Sequence, residues 1–305
     1  MGTGAVRWGY AVAPGDGTPL FYEHTDGDRG RCPVALLDGI GCDGYAWRHL
    51  RHALRGRALV HGHYRGHGRS SLPRDPARCT IEELADDTAA VLDDAGVERA
   101  ALVGHSMGVQ VALETYRRHR DRVAALVLVN GAPSHLLRTF KGSAALERLL
   151  PDVRRWMARA PRAVNRVLRA VVPTRLSFEI AKRVEINGEL VDPADFMPYL
   201  EGLSRIDATF FGAMLAAAGQ HSADDLLPSV EVPTLVIAGA RDGFTPPDRS
   251  IAMANAIPGS TLLLIEDGSH TTPIERPVEV NQAIAGLLDR TVDPSFASLS
   301  SPLRA

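Results

Sequence analysis

Gly104-His105-Ser106-Met107-Gly108 sets a serine between two glycines, each two positions away. The run before it, Ala100 to Val103, is short and apolar and reads as a buried strand. After it, Val111, Ala112 and Tyr116 fall on one helical face. A strand that enters a helix through G-x-S-x-G is a nucleophile elbow. The turn strains the serine backbone, so its second neighbours must be small. It lifts the hydroxyl clear of the sheet and sets the Met107 N–H at a helix start, where it can stabilise a developing oxyanion. A serine hydroxyl is too weakly acidic to attack a carbonyl unaided. It needs an imidazole to take its proton and a carboxylate to fix the imidazole tautomer.

The elements that must position such groups alternate along the chain. Residues 5–13 and 18–25 read as a hairpin about Pro14-Gly15-Asp16-Gly17. Strands follow at 34–38, 58–61, 100–103, 123–129, 234–238 and 261–265. Helices are expected at 45–54, at 80–94 (with Thr80 and Glu83 as a capping box), after Ser106, at 249–256 and at 277–289. This alternation predicts a mostly parallel sheet with helices on both faces. In such a sheet ligands sit at the carboxyl ends of the strands. Ser106 follows one strand, Asp242 follows 234–238, and His270 follows 261–265. Asp248 and Asp267 compete for the role of the acid. Asn130, after the strand 123–129, is not a carboxylate, which favours Asp242. His105 is a poor base, because side chains adjacent in a tight elbow diverge; its ring is expected to pack inward.

Gly104–Gly108, Arg65-Gly-His-Gly-Arg-Ser70, Pro233–Gly239 with Asp242, and Gly268-Ser-His270 together resemble the α/β-hydrolase superfamily over roughly 5–133 and 228–289. The resemblance implies an eight-stranded sheet and a Ser106–Asp242–His270 triad, in the chain order Ser, Asp, His. It makes the Ile40 N–H a second oxyanion donor beside Met107. Two positions depart from the family pattern. Asp38 stands where a His usually precedes the glycine, and His63 where an Asp is common. The implied activity is hydrolysis of a carboxylic ester or lactone with an apolar part, through an acyl-enzyme. Acyl transfer, perhydrolysis or C–C bond hydrolysis would use the same triad. A non-hydrolytic receptor or cyclase is the reading of another class, since fold does not fix function; the intact triad argues against it.

Other classes are set aside. Gly39–Gly44 satisfies G-x-G-x-x-G, but the acidic residue a dinucleotide site needs about 20 positions on is missing, so no cofactor is expected. Three cysteines, Cys32, Cys42 and Cys79, make neither a disulfide framework nor a metal site. Sparse cysteine and the lack of a signal-peptide pattern lead to an expected cytoplasmic location. No run of about 18 apolar residues occurs, so no membrane insertion is expected. A net charge of −2 gives no general pull toward nucleic acid.

From 134 to 228 the alternation stops and helices are expected at 144–158, 163–172, 176–186 and around 210–215. The expected organisation is a core of 1–133 and 229–290, a helical cap over 134–228, and a flexible tail over 291–305. Phe210, Phe211 and Leu215 are candidate walls of an apolar pocket. Between Arg138 and Arg183 twelve basic residues face three acidic ones; a solvated helix face is the simplest account.

Overall fold

The computed structural model describes residues 5–137, 145–184 and 186–293. The apolar runs form strands β1 (Val6–Val12), β2 (Pro19–Thr25), β3 (Val34–Leu37), β4 (Leu59–Gly62), β5 (Ala100–His105), β6 (Val123–Val129), β7 (Thr234–Gly239) and β8 (Thr261–Ile265). They join one sheet in the order β1-β2-β4-β3-β5-β6-β7-β8. β2 runs antiparallel to β1 and β4, and every other pairing is parallel. The architecture is the expected one, and β5, which leads to Ser106, lies in the interior of the sheet.

The strand residues explain why helices cover both faces. Ala35, Leu37, Leu102, Leu126 and Val236 point into one apolar core, and Val34, Leu36, Ala101, Val127 and Leu235 into the other. Successive side chains of a strand alternate in direction, so strands that are apolar throughout need cover on both sides. The helices are α1 (Arg48–Ala53), α2 (Ile81–Asp94), α3 (Met107–Arg118), α4 (Ala145–Arg159), α5 (Pro161–Val171), α6 (Arg175–Val184), α7 (Pro193–Arg205), α8 (Ala208–Gln220), α9 (Pro247–Ala256), α10 (Thr272–Glu275) and α11 (Pro277–Leu287). α2, α3 and α9 contribute to the first core and α1 and α11 to the second. The Thr80–Glu83 capping box forms in both directions at the start of α2.

Helices α4 to α8 leave the sheet after β6 and return before β7. They are anchored in both cores: Phe210 and Met214 of α8 join the first, and Phe178 of α6 and Phe196 of α7 the second. α7 was not expected. Its start is nonetheless well marked, because Asp192 caps the Ala194 N–H and Pro193 occupies the first turn. Pro198 inside it hides the helical period from a reading of the sequence.

Residues 291–293, expected as the start of a flexible tail, are instead held in place. Leu288–Val292 forms a π-helical turn, and the buried Asp293 carboxylate pairs with the buried guanidinium of Arg57. Asp293 Oδ1 also accepts from the Cys32 N–H at 3.0 Å. The rest of that tail, 294–305, lies outside the described residues, as do Arg138 and Lys141 of the basic stretch. Removing one partner of a buried ion pair strands the other charge. Asp293→Ala is therefore expected to cost about 3 kcal/mol, with Asp289 still touching Arg57 at 2.5 Å. A urea midpoint unchanged from wild type would show that this pair does not hold the C-terminal turn.

Candidate active site

Ser106 stands between β5 and α3 with φ 56° and ψ −118°. Such a left-handed backbone is costly for a residue with a Cβ and is held only by its surroundings. The surroundings are tight. A Cβ on Gly104 would lie 2.3 Å from the Gly108 carbonyl oxygen, and one on Gly108 would lie 2.2 Å from that of Leu37. The two glycines of the motif are thus steric requirements of the crossing. Met107 is the first residue of α3, so its N–H has no carbonyl one turn back to bond.

His270 Nε2 lies 3.0 Å from Ser106 Oγ, and His270 Nδ1 lies 2.9 Å from Asp242 Oδ2. Both His270 and Asp242 are buried. Burial opposes the Asp242 charge, but His270, the Thr245 N–H and Asn130 together outweigh it and hold the carboxyl below its ordinary value. Oδ1 accepts from the backbone N–H groups of Phe244 and Thr245 at 2.8 and 2.9 Å. Ser106, Asp242 and His270, read from three distant stretches, are brought together. The competing acids are not: Asp248 is exposed in the first turn of α9, and Asp267 pairs with Arg276.

The loop after β3 passes beside the serine, since a Cβ on Gly39 would lie 3.2 Å from Ser106 Cβ. Ile40 follows, half-buried. The Gly41 N–H donates to His67 Nε2 at 3.0 Å, and His67 Nδ1 faces the Arg65 carbonyl at 3.1 Å. An Nε2 that accepts leaves the proton on Nδ1, so His67 is a neutral ring that ties the loop down. Arg65 in turn forks onto Asp87 of α2 with two bonds of 2.7 Å. The departure at Asp38 also has an account. Arg51 Nη2 donates to His61 Nδ1 at 2.8 Å, and His61 Nε2 meets Asp38 Oδ2 at 2.7 Å. Burial alone would raise the Asp38 carboxyl; the adjoining His61 outweighs it and holds the carboxyl low. His63, the other departure, accepts from the Arg69 N–H at 3.0 Å and packs edge-on against Phe21.

His105 packs inward, as its position in the elbow implies. Its Nε2 lies 2.8 Å from the His270 carbonyl, so it braces the backbone at His270. Phe244 stacks on the His270 ring, with centroids 5.0 Å apart. From the helices above, Leu203 and Phe211 come closest to Gly41: a Cβ there would lie 2.8 Å from Leu203 Cδ1 and 3.4 Å from Phe211 Cε2. Gly41 has φ +80°, so it is glycine for its backbone as well as for this approach. Leu215 is half-buried one turn further along α8. Phe210 faces differently from Phe211. It is 1% exposed, joins the first core and presses on Gly66; one residue along a helix is a rotation of about 100°.

Two residues went unassigned in the sequence. Asn130, at φ 48°, sends its Nδ2 to Asp242 Oδ2 (3.1 Å) and to the Ser269 carbonyl (2.6 Å). Its place directly after β6 was the available signal. Thr245 Oγ1 lies 2.8 Å from Asp242 Oδ2 and 2.7 Å from the Asn130 carbonyl. Among the described residues no cluster of three or more His, Cys, Asp or Glu side chains is arranged to hold a metal ion, and no helix is long and apolar enough to cross a membrane.

Three buried histidines near the site resist protonation. Burial pushes His105 down to about 4 and His63 down to about 3, and lowers His67 as well. In the unfolded chain each takes up a proton near 6.5. Between those values the unfolded state binds more protons, so stability rises with pH. It is fully present above about pH 7 and falls as the pH drops below 6.5, by on the order of 2 kcal/mol at pH 5 for each of His105 and His63. Urea midpoints at pH 7.5 and pH 5 measure this; equal midpoints would contradict it.

A family model for the alpha/beta hydrolase fold matches residues 33–277. A protein from Azorhizobium caulinodans named "Putative carbamate hydrolase RutD" is 32% identical over 282 residues, which span 90% of this chain and 96% of that one. The enol-lactonase from Burkholderia xenovorans LB400 superposes with a TM-score of 0.71 at 27% identity, covering 92% of this chain and 99% of the other. A thermophilic esterase from Thermogutta terrifontis gives 0.67 at 27% identity, covering 93% and 98%.

Proposed function

This chain belongs to the alpha/beta-hydrolase family and is a hydrolase, and from that premise we propose that it cleaves a carboxylic ester or lactone with an apolar part, using Ser106 as nucleophile. The observation that carries the reading is the relay from Asp242 through His270 to Ser106, with spacings of 2.9 and 3.0 Å. His270 Nε2 takes the hydroxyl proton as Ser106 Oγ attacks the carbonyl carbon. Asp242 stabilises the imidazolium that forms. The carbonyl oxygen gathers negative charge, and the N–H groups of Met107 and Ile40 receive it. His270 then gives its proton to the departing alcohol, leaving an acyl-Ser106 ester. Water, deprotonated by His270, releases the acid and restores the serine.

We read residues 134–228 as a cap over this site. The support is the approach of Phe211 and Leu203 to Gly41 and the departure of α4–α8 from the catalytic end of the sheet. A cap excludes water and strengthens the electrostatics at the oxyanion. A second reading takes a carbamate carbonyl in place of the ester. It is favoured by the 32% identical relative named for carbamate hydrolysis, and the same attack serves it.

An active-serine probe followed by a panel of nitrophenyl esters and carbamates tests both. Ser106→Ala is expected to lose labelling and about 10⁴ to 10⁶ in kcat while remaining folded. Asp242→Asn should lose about 10⁴, whereas Asp248→Asn and Asp267→Asn should stay near wild type. A larger loss at either of those two would overturn the assignment of the acid.

The cap yields a paired expectation. Phe211→Ala should shift the kcat/KM ratio between long and short acyl esters by about tenfold. Phe210→Ala should leave that ratio alone and cost about 3–5 kcal/mol of stability, as a buried Phe does. If Phe211→Ala unfolds the protein while specificity stays fixed, the pocket lies elsewhere.

A further inference from the structure

Helices α4, α5 and α6 turn apolar side chains outward. On α4, Leu149, Val153 and Trp156 recur at helical spacing and are 58%, 46% and 62% exposed. On α5, Val167 and Val171 stand one turn apart, both exposed, and α5 buries no residue fully. On α6, Leu176 and Ile180 repeat the pattern. A single exposed Leu is ordinary, but a repeat across three consecutive helices marks a surface meant to be covered. Cations are interleaved with it. Residues 145–184 hold ten basic and three acidic residues, a local surplus of seven positive charges in a chain whose total is −2. Asp152 is engaged by Arg155 and Glu179 by Lys182, each within its own helix.

We propose that this outer face of α4–α6 docks peripherally on an anionic lipid bilayer. Helices with arginines beside exposed Val, Leu and Trp lie in the headgroup layer, where the apolar side chains leave water and the cations meet lipid charge. Trp156 is the side chain best suited to that boundary, with an apolar body and a polar N–H. The remainder of the chain is net negative, so a negatively charged surface attracts this face and repels the rest, which fixes the orientation of approach. A second copy of the chain would set like charge against like. A nucleic acid would satisfy the arginines and leave Trp156 and Leu176 in water. With no described helix able to cross a bilayer, the contact is one of surface docking.

Vesicle flotation tests the proposal without reference to ester cleavage. The wild-type protein is expected to float with vesicles of phosphatidylcholine containing phosphatidylglycerol, to stay behind with phosphatidylcholine alone, and to be released by salt. Its tryptophan emission should shift to the blue on binding, and Trp156→Phe should abolish the shift. Replacing Arg155, Arg162 and Arg166 by Gln should weaken partitioning about 100-fold, at roughly fivefold per cation. Trp156→Ser with Leu176→Ser should also release the protein. Far-UV circular dichroism checks that these surface variants fold; should one fail, the lipid and salt dependence of the wild type still decides. Absence of any preference for the anionic vesicles overturns the proposal, as does binding undiminished in both sets of variants. Self-association abolished by Trp156→Ser, or duplex DNA binding, without flotation would assign the face to a second copy or to nucleic acid instead.

Discussion

A serine held at φ 56° between a strand and a helix is the constraint on which the rest of this structure depends. That conformation is unfavourable for any residue with a Cβ, and it persists only where the surroundings over-determine it. Here β5 and α3 approach until Gly104 and Gly108 are nearly in contact, and Gly108 presses on the backbone at the end of β3. The sheet must be continuous on both sides of β5 to supply that pressure. The same crossing turns the hydroxyl toward His270 and sets beside it the first N–H of α3, which has no intrahelical partner. Geometry that is costly for folding is what sets the Ser106 hydroxyl within 3.0 Å of His270 Nε2.

Around this point polar groups are buried in pairs, each of which resolves a cost the next would otherwise incur. Asp242 keeps its charge because His270, Asn130 and two backbone N–H groups surround it. Asp38 keeps its charge through His61, which is oriented by Arg51. His67 remains neutral and spends its acceptor on the Gly41 N–H, fixing the loop that carries Ile40. The Asp at position 38 is therefore no loss to the loop: a carboxylate directly after β3 and an imidazole on the adjacent parallel strand β4 make a buried pair.

Helices α4–α8 serve two environments at once. Their inner side chains enter both cores and bring Phe211 and Leu203 against Gly41. The outer side of α4–α6 combines unburied apolar groups with a surplus of arginine. One stretch of chain thus approaches the loop at Gly41 on one side and presents a charged, partly apolar face on the other. Such a division follows from the helix itself, whose opposite sides are set by a period of 3.6 residues and need not share a composition.

What the sequence by itself determined was whatever rests on local rules. Strand and helix alternation follows from hydrophobic period. The elbow follows from glycine at fixed offsets about Ser106, and the choice of Asp242 and His270 follows from their place directly after strands. The tertiary structure alone decided matters that depend on which distant residues meet. Asn130 looked like the absence of an acid and is a donor to one; His67 looked like part of a motif and is the anchor of a loop 26 residues away. Phe210 and Phe211 are neighbours in the chain, yet one is core and the other approaches the site, because the docking angle of α8 fixes which side faces in. Asp293 sits in a stretch with every mark of a loose end, and is held by Arg57, 236 residues earlier. Local rules cannot reach such pairs, since a contact across the fold leaves no periodic trace in the sequence on either side of it.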